Sequence, residues 1–107
     1  MRYRSTRGGE PVSAAEAIVR GISPSGGLYV PERYPCVAFD ARNGTGYRET
    51  ALRVLRAYLP EMEETLLSGM IEAAYRSFDT PEVAPLVRLS QTEQIAELWH
   101  GPTMAFK

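Results

Sequence analysis

The residues best suited to chemistry lie together in one segment, His100-Gly101-Pro102-Thr103-Met104-Ala105-Phe106-Lys107. A lysine amine can condense with a carbonyl and then serve as an acid–base group, but only after it sheds its proton. At its ordinary pKa of about 10.4 it is a poor nucleophile at neutral pH. Desolvation or a nearby cation lowers that value, which is why reactive lysines sit in apolar or phosphate-lined pockets. Met104, Ala105 and Phe106 offer Lys107 an apolar approach. Taken by itself, however, a lysine at a chain end reads as surface charge, and no spacing elsewhere in the chain overturns that.

Other chemistries find less support. Cys36 is the single cysteine, so it has no internal disulfide partner, and no activating motif surrounds it. It reads as a thiol beside the Pro35 turn. One histidine and one cysteine fall short of a four-ligand zinc site. Gly8-Gly9 and Gly26-Gly27 invite comparison with phosphate cradles, yet neither has the spacing of a phosphate loop opening a helix. A net charge of −1 gives no reason to expect nucleic acid or an anionic membrane as partner. The arginines at positions 2, 4 and 7 and the glutamates at 61, 63 and 64 read as solvated faces. No apolar run approaches the roughly 20 residues of a membrane span, and no apolar h-region follows the basic start. The expected location is cytoplasmic.

The elements that must position these residues form one small domain, residues 1–107. Apolar and charged fractions of 44% and 23% are ordinary for a soluble globular chain. Residues 1–6 alternate weakly and predict a short strand, ended by Gly8-Gly9. Ser13 and Glu16 have the spacing of a capping box, placing a helix over 14–20 with Ala14, Ala17 and Ile18 on one face and Gly21 beyond its end. Pro24-Ser25-Gly26-Gly27 predicts a turn and 28–30 a strand that Pro31 ends. Residues 32–44 read as loop. Two amphipathic helices follow, the first carrying Tyr47, Ala51, Val54, Leu55 and Tyr58. The second, with Pro60 in its first turn, carries Met62, Leu66, Met70, Ile71, Ala74, Tyr75 and Phe78 before Asp79-Thr80-Pro81 stops it. Those apolar stripes read as core rather than ligand groove. Residues 86–89 and 95–99 predict two short strands joined through Ser90-Gln91-Thr92. The fold class is α+β, about three helices with short strands near both ends.

Four stretches resemble threonine synthases in the order that family has them. Tyr3-Arg4-Ser5-Thr6-Arg7-Gly8 resembles their opening, and Gly26-Gly27-Leu28-Tyr29-Val30-Pro31 resembles their Gly-Gly-Leu-Tyr-Val-Pro turn and strand. Ala73-Ala74-Tyr75-Arg76-Ser77-Phe78 is similar to their Ala-Tyr-x-x-Phe helix end. The fourth is Glu97-Leu98-Trp99 with the His-Gly-Pro-Thr-x-Ala-Phe-Lys segment, where Trp99 stands for the usual Phe and Met104 for the usual Leu, both volume-tolerant exchanges.

The resemblance implies the N-terminal part of a fold-type II pyridoxal-phosphate lyase of threonine biosynthesis, converting O-phospho-L-homoserine and water to L-threonine and phosphate. Lys107 would then carry the cofactor as a Schiff base and move protons. His100 and Thr103 would line the site or shape the turn through Gly101-Pro102. The family's phosphate-holding glycine loop lies further along, in a catalytic domain that would follow Lys107 and is the expected intramolecular partner. The isolated chain is accordingly expected to be inactive, to leave pyridoxal phosphate unbound and to keep Lys107 as an idle amine. The alternative is a non-catalytic structural or interaction module that retains this shape and docks through an exposed apolar patch.

Overall fold

The computed structural model describes residues 1–38 and 46–106. Lys107 and part of the expected 32–44 loop, Asn43-Gly44 included, lie outside the described residues. The order is β1 (Arg2–Ser5), β2 (Val12–Ser13), α1 (Ala14–Arg20), β3 (Tyr29–Pro31), α2 (Tyr47–Tyr58), α3 (Glu64–Tyr75), β4 (Leu86–Arg88) and β5 (Gln94–Ala96). Three helices with short strands near both ends make the fold α+β, as the sequence predicts. No helix among the described residues is long and apolar enough to cross a membrane.

At the first end, β1 is the central strand of three, antiparallel to both β2 and β3, with Tyr3 opposite Val12 and Pro31 and Ser5 opposite Tyr29. The two-residue strand β2 is too short to leave an alternating pattern in the sequence, and β3 runs one residue later than expected, taking Pro31 into the pairing. Proline is tolerated there because β3 lies at the sheet's edge. Ser13 then caps α1, its Oγ accepting from the Glu16 N–H at 3.2 Å. Only this half of the expected capping box forms: Glu16 reaches forward instead to Arg20, at 2.5 Å, one helical turn on. Gly21 ends the helix with φ of +67° and its N–H on the Ala17 carbonyl, a conformation that suits glycine.

Ala14 and Ala17 are buried as their spacing predicts, but Ile18 is 65% exposed. The central cluster joins Ala14 to Leu59, Leu67 and Ile71, with Tyr3, Ala51, Leu52, Leu55, Met62 and Tyr75 packed around it. This corrects the expected face of α3. Leu66 and Met70 are half exposed, while Leu67, one residue along, is 3% exposed. Leu67 and Ile71, one turn apart, form the face that meets Ala14 and Leu59, and α3 begins at Glu64 rather than around Pro60, which lies in the turn after α2. Phe78 falls beyond the end of α3 at Tyr75. That turn also carries polar ties back to the first end. The Glu61 carboxylate accepts from the Ala14 N–H at 3.1 Å, and the Tyr3 hydroxyl donates to the Tyr58 carbonyl at 2.9 Å.

At the second end β4 and β5 form a separate antiparallel pair, with Val87 opposite Ile95. Its strands are shorter than expected, with one further bond from the Glu97 N–H to the Pro85 carbonyl at 3.0 Å, and every strand residue is exposed. The radius of gyration is 16.5 Å, against about 13 Å for a compact domain of this length. The molecule is elongated, 48 × 28 × 28 Å, and the hairpin contributes no residue to the buried core.

These assignments separate two adjacent leucines. Leu67→Ala is expected to cost about 2–4 kcal/mol through cavity formation, and Leu66→Ala only about 0.5 kcal/mol. Equilibrium urea unfolding measures both, and equal losses would show that the register of α3 is wrong.

Candidate functional site

The helical half leads into the site through a row of rings. Tyr47 meets Tyr75 edge-on with centroids 5.1 Å apart, and Tyr75 meets Phe78 in the same manner at 5.2 Å. The Phe78 ring lies against Gly101, where an added Cβ would sit 2.9 Å from its Cζ. Gly101 is buried although its neighbours on both sides are not fully so. Glycine is therefore needed here for close approach, bringing the residues after α3 against the segment that carries the candidate chemistry.

His100, the residue before, is held on both ring nitrogens. Nδ1 lies 2.5 Å from Asp79 Oδ1 and Nε2 lies 2.7 Å from Glu97 Oε2. The main chain repeats the link, the Asp79 N–H donating to the His100 carbonyl at 3.1 Å. The Glu97 hydrogen bond first and the Asp79 bond second hold the imidazole pKa above its ordinary value, against a smaller opposing effect of burial. The turn that supplies Asp79 is itself constrained. Val83 is 3% exposed and adopts φ of +64°, a strained conformation for a β-branched residue.

Beyond Gly101 the chain turns again. The Met104 N–H donates to the Gly101 carbonyl at 3.0 Å, and Met104 takes φ of +52°. Thr103 lies within this turn and Lys107 outside the described residues. Met104 and Phe106 are 83% and 77% exposed. The apolar approach expected of them is thus an open surface, continued in type by Trp99 and Leu98, each half exposed. Sequence reasoning singled out His100, Thr103 and Lys107 but missed Asp79, Glu97 and Phe78 as partners of the segment. Asp79 stands 21 residues from His100, and no local pattern announces so distant a contact.

The glycine pairs serve a different place. Gly26 takes φ of +80°, and a Cβ on Gly27 would sit 2.4 Å from Ser5 Oγ. Ser5, Ser23 and Ser25 bond to one another through their hydroxyls, with Ser5 and Ser23 buried. The cleft beside them, about 390 Å³, is lined from Ser5 to Tyr29 and by no residue of the 97–106 segment. Among the described residues no group of three or more His, Cys, Asp and Glu side chains could hold a metal ion.

A small α+β unit of three helices with short strands near both ends is the architecture at the start of solved threonine synthase structures, one of them bound to pyridoxal phosphate. The chain aligns with the pyridoxal-phosphate-bound threonine synthase of Brucella melitensis at a TM-score of 0.86 and 37% identity, over 99% of this chain and 24% of that one. The profile described as threonine synthase N terminus matches residues 2–75, and the chain belongs to that family. Threonine synthase of Pseudomonas aeruginosa is 38% identical over 112 residues, all of this chain and 24% of the relative. Threonine synthase-like 2 of Rattus norvegicus is 36% identical over 116 residues, 23% of its length. The chain thus spans about a quarter of the length of the curated relatives it matches.

The close approach at Gly101 has a measurable cost. Gly101→Ala is expected to destabilise the chain by about 1–3 kcal/mol through the clash with Phe78. The same change made in a Phe78→Ala background should cost markedly less, and a double-mutant cycle by urea unfolding reads the difference. Additive costs would mean that the ring and the glycine do not meet.

Proposed function

We propose that residues 1–107 form the N-terminal domain of a pyridoxal-phosphate-dependent threonine synthase, a lyase that converts O-phospho-L-homoserine and water to L-threonine and phosphate. The observation that carries this is family membership along the chain, together with the place of Lys107. It is the single lysine of the sequence, and it follows the turn through Gly101 and Met104.

The residues present fit one part of the cofactor. Lys107 supplies an amine for the aldehyde, and Met104 and Phe106, just before it in the sequence, supply exposed apolar surface. The phosphate group needs a cradle from elsewhere, since the glycine pairs surround the serine cluster instead. When bound, pyridoxal phosphate supplies the electron sink for carbanions at the substrate. Lys107 is its attachment point and, once released, the base and acid for proton movement at Cα and Cβ of the substrate. A second surface closing over Met104 and Phe106 would exclude water there and lower the proton affinity of an amine beside them. Thr103 and His100 shape the turn, the first from within it and the second from its base.

That second surface is the remainder of the same protein, the intramolecular partner on this reading. The exposed apolar residues of the second end, Leu86, Leu89, Ile95 and Leu98 among them, are what such a partner would cover. Alone, the chain is accordingly inactive and leaves Lys107 unmodified. The exposed free thiol of Cys36 suits a reducing cytoplasm. The same uncovered hairpin favours one further reading, a non-catalytic module that docks through β4 and β5.

A chimera separates the two. Residues 1–107 replace their counterpart in the Pseudomonas aeruginosa relative, and phosphate release from O-phospho-L-homoserine is followed. The expected result is turnover that Lys107→Ala reduces at least about a thousandfold, on the scale of losing a covalent catalytic group. A folded, cofactor-loaded chimera without turnover would favour the docking module.

A further inference from the structure

The pairing around His100 places a constraint on its chemistry. A neutral imidazole has one N–H and one lone pair, and only the protonated ring donates from both nitrogens. Here each nitrogen faces a carboxylate oxygen, at 2.5 Å and 2.7 Å. The Asp79 side chain is 72% exposed, and a ring lone pair set against a carboxylate oxygen at this distance would be repelled. Both hydrogen bonds are therefore donated by the ring. Among the described residues the ring also packs beside Trp99 at 5.8 Å, and its charge reaches Glu82, whose carboxyl is held below its ordinary pKa mainly by Thr80 and in small part by His100.

The position of this pair matters as much as its charge. Asp79 and His100 close the neck of the excursion that contains β4 and β5, by side chain and by main chain together. Gly101 begins the turn toward Lys107 directly after it. We infer that His100 is a positioning residue that acts as an imidazolium latch, clamped between Asp79 and Glu97, and sets the direction of both the β4–β5 hairpin and the 101–106 segment. The assignment takes from the preceding reading only that this segment leads to the reactive lysine. It removes His100 from the set of candidate proton acceptors, because its charge is committed to the clamp.

The sign of the pH dependence follows. The folded pKa of His100 lies above the unfolded value, about 6.5. The latch contributes fully below that unfolded value, and its contribution is lost as pH rises through the folded one. Asp79→Asn or Glu97→Gln leaves the ring one charge-assisted partner and should move the titration midpoint down by about one pH unit.

Nitrogen-15 NMR of the ring and amides in the 107-residue chain tests this without cofactor. Both ring nitrogens should carry a proton at pH 7, and the amide signals of Gly101 and Met104 should shift with the His100 titration. Asp79→Asn, at an exposed site, should lower the midpoint of both signals together while the β1 and α1 amides stay in place. Glu97→Gln supplies a second variant should either change disturb the fold. A ring with one bare nitrogen at pH 7 would overturn the latch, as would Gly101 and Met104 signals that stay fixed while His100 titrates. Either failure leaves the enzymatic reading standing, and an inactive chimera in turn leaves the latch standing, because the measurements share no readout.

Discussion

Ala14 is where the two halves of the molecule meet. Its methyl packs against Leu59, Leu67 and Ile71, and its N–H donates to the Glu61 carboxylate. One residue thus carries an apolar and a polar tie between the sheet end and the helical pair. Burial alone would raise the Glu61 pKa. Its own backbone N–H, the amino group at Met1 and the Ala14 N–H outweigh that and hold it below the ordinary carboxylate range. The same carboxylate serves the start of α1, where exposed N–H groups and the helix dipole favour negative charge. With the Tyr3–Tyr58 bond, this junction ties the three-stranded sheet to the helix pair behind it. A core of so few buried side chains leaves little redundancy.

From that junction order passes outward along a narrow path. It runs from Ile71 and Tyr75 in α3 through the edge-on ring of Phe78 to Gly101, and ends at the doubly held His100. The step from Phe78 to Gly101 joins groups far apart in sequence but adjacent in space. The path explains why glycine stands at position 101 and why the 79–83 turn tolerates a valine in the left-handed region. The turn is held between the end of a helix and a charged clamp, so its backbone has little freedom to relax. The candidate chemistry is therefore positioned by a chain of fixed contacts rather than by a cleft.

Much of this architecture is legible in the sequence where a local signal decides it. Ser13 announces α1, Gly21 ends it, and the periodic residues of α2 and α3 announce two helices. The errors share one cause. Leu66 and Leu67 are equally apolar, and the packing of α3 on Ala14 and Leu59 decides which is buried. Glu16 has two partners within reach, Ser13 and Arg20, and spacing alone does not choose between them. Strand β2 exists because β1 offers it a ladder, which two residues cannot signal for themselves. For the candidate site, His100 and Thr103 stood out through their segment. Asp79 did not, because its contact crosses the β4–β5 excursion and leaves no trace in periodicity.

The hairpin of β4 and β5 has one more consequence, for the time scale of this surface. A two-stranded hairpin without a packed face is marginally stable in water, and neither face of this one is buried. Its ladder therefore opens at a free energy far below that of the core, as an independent unit in hydrogen exchange. A surface settling on it selects the closed fraction and removes its freedom, so part of the contact energy goes into ordering the hairpin. For any surface that covers this end of the chain, docking and the completion of the fold would be a single thermodynamic event.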